Sequence, residues 1–129
     1  MMLTRGDAVP HFTVHGLDGT PVAYLDIWQQ RNLVLAVLGD PAPSDEADAW
    51  VREGASYADE FSRLEATVVI TRDVVAGLPA PAVLVADRWG EIAVAASGPD
   101  ALSRLSALEA LEWLRFVSHA CPECEGEAL

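Results

Sequence analysis

The six residues Leu33-Val-Leu-Ala-Val-Leu38 are all apolar, with no polar position on either face of the strand they would form. A half-exposed strand alternates with a period of two, so a strand of this composition has to be covered on both sides. In a chain of 129 residues that implies one α/β domain built round a small central sheet. A second run, Ala66-Thr-Val-Val-Ile-Thr71, is rich in β-branched residues and reads as another buried strand. A third, Pro81-Ala-Val-Leu-Val-Ala86, leads through the tight turn Asp87-Arg-Trp-Gly90 into Glu91-Ile-Ala-Val-Ala-Ala96. So short a connection forces the last two strands to be antiparallel, and the sheet is mixed.

Helical patterns lie between and after these strands. Ser44 is a good N-cap, and Asp45, Glu46 and Asp48 fall where a helix dipole favours negative charge. The spacing predicts a helix from Asp45 to Leu64, weakened in its middle by Gly54. Leu102, Leu105, Leu108, Leu111, Leu114 and Val117 predict a final helix from Asp100 to Ser118. A shorter helical turn is expected within residues 73–79. At the other end, Val9 to His15 and Pro21 to Leu25, joined by Leu17-Asp-Gly-Thr20, predict an N-terminal β-hairpin. His11 and His15 share one face of it, which reads as solvated. Trp28, Trp50 and Trp113 read as packing residues, and Trp89, in a turn, as an exposed one suited to a subunit contact.

Charge narrows the function. The formal net charge is −12, from 20 acidic against 8 basic residues, and every basic residue is arginine. Such a balance repels phosphate backbones, so nucleic acid is not an expected partner. No run approaches the roughly 18 apolar residues of a membrane span, and no secretion signal is read at the start. The expectation is a cytoplasmic protein with no membrane partner.

Two stretches resemble the redoxin proteins. Gly6-Asp-Ala-Val-Pro-His-Phe12 with Leu17-Asp-Gly19 resembles their opening, and Pro81-Ala-Val-Leu-Val-Ala-Asp-Arg-Trp-Gly-Glu-Ile92 resembles their late strand, turn and strand. With the order of elements, the chain resembles the thioredoxin-like superfamily in its peroxiredoxin (AhpC/TSA) form over positions 5 to 118. The resemblance implies a thioredoxin-like fold: a mixed central sheet flanked by helices, with an N-terminal hairpin. It also implies a cis bond before Pro81, with Pro79 the lesser candidate; proline carries only a small intrinsic penalty for cis. In peroxiredoxins the catalytic cysteine stands at the start of the long helix. The matching stretch here, Gly39-Asp-Pro-Ala-Pro-Ser-Asp-Glu46, has neither cysteine nor threonine, so the usual peroxidatic centre is missing. Arg72 and Arg88 are the candidates for the family's arginine.

The only cysteines are Cys121 and Cys124, spaced Cys-Pro-Glu-Cys in an acidic tail of residues 119–129 that follows a domain of residues 1–118. This spacing lets both sulfurs share one disulfide or one metal ion. A final helix of about 17 residues, rising 1.5 Å per residue, would carry them roughly 25 Å from Pro81. Three readings stand: a redox pair exchanging with a protein dithiol or disulfide partner, an intersubunit metal half-site with His119 as third ligand, or a dithiol end with no catalytic task. In the last case the domain is a non-enzymatic interaction or scaffold protein, dimerising as a homodimer through an apolar surface. No cofactor is expected.

Overall fold

The computed structural model describes residues 2–39 and 44–119, the last without its side chain. The central sheet has four strands, β3 (Asn32–Val37), β4 (Ala66–Thr71), β5 (Ala82–Ala86) and β6 (Ile92–Ser97), in the order β4-β3-β5-β6. β3 and β4 are parallel, while β5 is antiparallel to both β3 and β6. β3 and β5 are buried throughout, as strands covered on both faces must be. Ahead of the sheet, β1 (Thr13–His15) and β2 (Pro21–Ala23) form the hairpin, and Tyr24–Asp26 closes it with a 3-10 turn.

All the described helices lie on one face of the sheet. Helix α1 (Asp45–Ser56) contributes Ala47 and Trp50, α2 (Ala58–Arg63) contributes Phe61, α3 (Ala101–Arg104) contributes Leu102, and α4 (Ala107–His119) contributes Leu111 and Leu114. These surround Val34, Ala36, Val83 and Val85. The strand period of two sends Leu33, Leu35, Val37 and Leu84 to the opposite face. There they meet Val14, Tyr24 and Ile27 from the N-terminal segment and Val75 and Leu78 from the β4–β5 connection.

Both long helices predicted from periodicity are broken. The first ends at Ser56 and restarts at Ala58, with Tyr57 out of helical geometry at φ −104° and ψ 15°. The second break falls at Leu105, which is extended at φ −125° and ψ 74°. Ser106 then caps α4, its Oγ accepting from the Glu109 N–H at 3.2 Å, while Glu53 Oε1 accepts from the Leu108 N–H at 3.0 Å. The buried indole of Trp50 donates to the Leu105 carbonyl at 3.0 Å, satisfying the acceptor that the break frees. Leu102, Leu105, Leu111 and Leu114 stay buried across the break while Leu108 turns outward, 40% exposed; because α3 and α4 bury the same side, periodicity alone overlooks the break. Residues 73–79 form a turn closed by Leu78 N–H to Val75 O at 3.1 Å, with no helix.

Candidate functional site

Parallel and antiparallel register bring three strand ends to one edge of the sheet, with Val37 opposite both Thr71 and Ala82. This edge forms a mouth. Gly39 leaves β3 with φ +77°, a left-handed conformation that favours glycine. A Cβ there would stand 2.7 Å from the Ala80 Cβ, so the bare backbone lets the two segments meet. The Ala80–Pro81 peptide bond is cis, and the Pro81 carbonyl accepts from the Gly98 N–H at 3.0 Å. Ser44 Oγ accepts from the Ala47 N–H at 3.2 Å and caps α1.

The ten residues between β4 and β5 cross the end of β3 and enclose a cleft of about 350 Å³. Gly39, Arg72, Val75, Leu78, Pro79 and Ala80 are among its lining residues. Arg72 Nη1 approaches the Gly39 carbonyl at 3.5 Å. Arg88 lies at the other end of β5, in an ion pair with Glu65, so Arg72 is the arginine that the fold brings to the mouth.

Beside the cleft the hairpin is tied to β4. Asp73 Oδ2 accepts from the His15 N–H at 2.7 Å and lies 3.0 Å from His15 Nδ1. Those two contacts, the backbone one first, hold the Asp73 carboxyl below its ordinary value. Thr71 Oγ1 donates to the His15 carbonyl at 2.7 Å and accepts from the Asp73 N–H at 3.0 Å. Sequence reading leaves His15 on a solvated face; nothing local marks Asp73, 58 residues away, as its partner.

The far end of the sheet holds a different cluster. Tyr24 is buried, and its hydroxyl has no hydrogen-bond partner among the described residues. Burial, and secondarily the Asp87 carboxylate, push this phenol up to about 12. His11 stands edge-on to Trp28, with ring centres 5.2 Å apart, and the Trp28 indole donates to the Trp89 carbonyl at 3.2 Å. Trp89 itself is half exposed, while Trp50 is buried.

Helix α4 runs away from the mouth. Arg5 lies over the Trp113 ring at 5.8 Å, and the neighbouring Gly6 N–H donates to Ile92, whose strand partner is Ala86 at the end of β5 opposite Ala82. The backbone of His119 ends that helix. Cys121 and Cys124 lie outside the described residues, so neither is assigned to the mouth or to a metal set with His119. No group of three or more His, Cys, Asp or Glu side chains able to hold a metal ion occurs among the described residues. No helix among them is long and apolar enough to cross a membrane.

This strand order, with the hairpin ahead of it and helices against it, is the thioredoxin-like fold in its peroxiredoxin form. The peroxidoxin BcpB of Mycobacterium tuberculosis superposes with a TM-score of 0.67 at 16% identity, over 91% of this chain and 99% of that one. AhpC of the same organism gives 0.70 at 15% identity, over 95% and 98%. A thiol:disulfide interchange protein of the thioredoxin family from Chlorobium tepidum gives 0.61 at 10% identity, over 90% and 99%. No protein-family model matches the sequence, and no curated protein matches it.

Proposed function

We propose that this chain is a redox-related protein of thioredoxin-like fold that exchanges thiols and disulfides through Cys121 and Cys124, in a tail beyond a domain of residues 1–118. The observation that carries this reading is the separation of fold and sulfur. The mouth is built from Gly39, Arg72 and the cis Ala80–Pro81 bond, whereas the only two thiols in the sequence follow α4. In the reaction the Cys121 thiolate attacks a sulfur of a partner protein's disulfide and expels one partner thiolate. The Cys124 thiolate then attacks the Cys121 sulfur and expels the second, so the pair loses two electrons and the partner gains them. Cys121 is the attacker because Glu123 and Glu125 flank Cys124 directly and disfavour its thiolate. A reducing cytoplasm would return the pair to its dithiol form.

Exchange with a disulfide substrate should vanish in Cys121→Ser, and Cys124→Ser should accumulate the mixed disulfide. Undiminished exchange in Cys121→Ser would refute the assignment. One further reading has an observation behind it: Trp113 and Phe116 meet edge-to-face on α4, and Phe116 is 53% exposed. A non-enzymatic interaction domain that forms a homodimer through this apolar surface would show normal self-association in both serine variants and no exchange in the wild type. Zinc bound at a defined stoichiometry would instead favour the half-site of Cys121, Cys124 and His119.

A further inference from the structure

Helix α4 ends at His119, and Cys121 follows two residues later. At 1.5 Å per helical residue and at most about 3.6 Å per extended one, the backbones of Phe116 and Cys121 stand within about 12 Å of each other, whatever path the tail takes. Beside this end of α4 opens a groove of about 430 Å³ lined by Arg5, Glu109, Glu112, Trp113 and Phe116. An acidic residue stands four positions ahead of an aromatic one twice here, Glu109 before Trp113 and Glu112 before Phe116. Residues four apart lie on one stripe of a helix, so the groove pairs each ring with a carboxylate residue. Arg5 shows what such a pair accepts: its guanidinium lies over the Trp113 ring, 5.8 Å from the centroid, within the range of a cation–π contact. We infer that the groove docks a basic, arginine-bearing segment of the disulfide partner, the incoming guanidinium lying against Phe116 and Glu112 while Arg5 keeps its place on Trp113. This rests on the reading of Cys121 and Cys124 as the exchanging pair.

Charge selects this class of partner. The lining holds two carboxylates against one guanidinium, and the whole chain carries −12, so the near and the distant field both favour a cation. Arg115 also faces solvent but lies outside the lining. An apolar partner could cover Phe116, which is 53% exposed, but it would draw the two carboxylates out of water without donors for them. An acidic partner, a second copy of this chain included, brings like charge to the same place. The proposed cation also offsets a difficulty in the exchange itself. Glu123, Glu125 and Glu127 disfavour a thiolate in the tail, and a basic segment seated beside it counters part of that field only in the complex, where a disulfide is at hand.

The test uses three disulfide-closed peptides that differ only in their flanking residues, arginine, glutamine or glutamate, and serine analogues of each that bind without exchanging. The serine analogues are titrated into isotope-labelled full-length protein and read by amide and indole chemical shifts. The arginine analogue should shift Arg5 and residues 109–116 saturably, at least about tenfold more tightly than the glutamine one, and the glutamate analogue should shift nothing. Raising salt from about 0.05 M to about 0.3 M should weaken the arginine analogue. Glu112→Gln and Phe116→Ala, both at exposed positions, should each weaken it about threefold or more. The inference is overturned if arginine and glutamine analogues bind alike, if the shifts fall elsewhere, or if neither substitution weakens binding. Shifts on α4 that follow protein concentration and ignore every peptide would overturn it in favour of a second copy. Reduction of the disulfide peptides is measured separately. Binding of the arginine analogue with no reduction of any peptide would sink thiol exchange and leave a docking site for a basic segment. Equal reduction of all three without selective binding would sink the docking site and leave the exchange.

Discussion

On one face of the sheet Val34, Ala36, Val83 and Val85 meet the described helices, with Trp50, Phe61, Leu111 and Leu114 filling the interface. On the other, Leu33, Leu35, Val37 and Leu84 meet a hairpin of two three-residue strands, a 3-10 turn and a ten-residue connection. Helices offer long regular stripes, so the first face is closed by interdigitating side chains. Short segments cannot tile the second as completely. Both the 350 Å³ cleft and the Tyr24 hydroxyl, which has no partner among the described residues, lie on that side. Helices cover one core with regular stripes and irregular chain covers the other, although grooves open on the helical side too, between α1 and α3 and beside Trp113.

The largest expected effect belongs to the helix-covered face. Trp50→Ala removes a buried indole and leaves the Leu105 carbonyl without its donor, so it should destabilise by about 3 to 5 kcal/mol in chemical denaturation. A cost below about 1 kcal/mol would show that α1, α3 and α4 do not depend on this contact. Leu78→Ala, under the β4–β5 connection, should cost less, about 2 kcal/mol, because a loop settles into a vacated volume more readily than a helix layer does. If Leu78→Ala equals Trp50→Ala, the contrast between the faces fails.

The same contrast governs what can be read from the sequence. Strands β3 and β4 are legible because six-residue runs of apolar or β-branched side chains have few other uses. The helical face follows from spacing, apart from its breaks. Ser106 and Glu109 do mark the second break as a capping box, a signal that the uninterrupted leucine pattern overrides. The connection is illegible in principle. Val74 and Val75 are chemically identical neighbours, yet one is 93% and the other 3% exposed. Only the path of the chain across the end of β3 separates them. Of the cleft, Pro81 and Gly39 can be named from their places beside the strands, whereas Leu78 as floor and the choice of Arg72 over Arg88 require tertiary structure.

Tyr24 offers a smaller test with the opposite sign. Its hydroxyl is desolvated with no hydrogen-bond partner among the described residues to offset the cost, so Tyr24→Phe should stabilise the protein by about 1 kcal/mol, a rise in melting temperature of about 4 °C. The phenol also predicts alkaline behaviour. Its folded pKa of about 12 lies above the ordinary value of 10, so below pH 10 its ionisation does not affect stability. Stability falls as pH rises from 10 towards 12, because the unfolded chain ionises first. Phenylalanine at this position should remove that share of the alkaline loss, measured as a difference between the two stability profiles. Destabilisation by Tyr24→Phe would mean that the hydroxyl has a partner, such as a buried water, and that this face is better satisfied than its geometry implies.

The smallest effect is expected where the hairpin is tied to β4. Asp73 is partly exposed, and its carboxyl is lowered by the His15 N–H and then by the ring. A carboxyl with a depressed folded pKa stabilises the fold above its unfolded pKa and loses that contribution as pH falls through the folded value. The window therefore lies below the ordinary value of 3.8, and above it the tie should hold. Asp73→Asn should flatten this acidic limb and speed amide exchange at His15 and Gly16, with little change in global stability, because solvent screens an exposed pair. Exchange at the buried amides of β3 should stay the same. If it accelerates in step with the hairpin, the lightly covered face opens as one unit with the sheet, and the distinction between a helix-covered and a loop-covered side does not extend to dynamics.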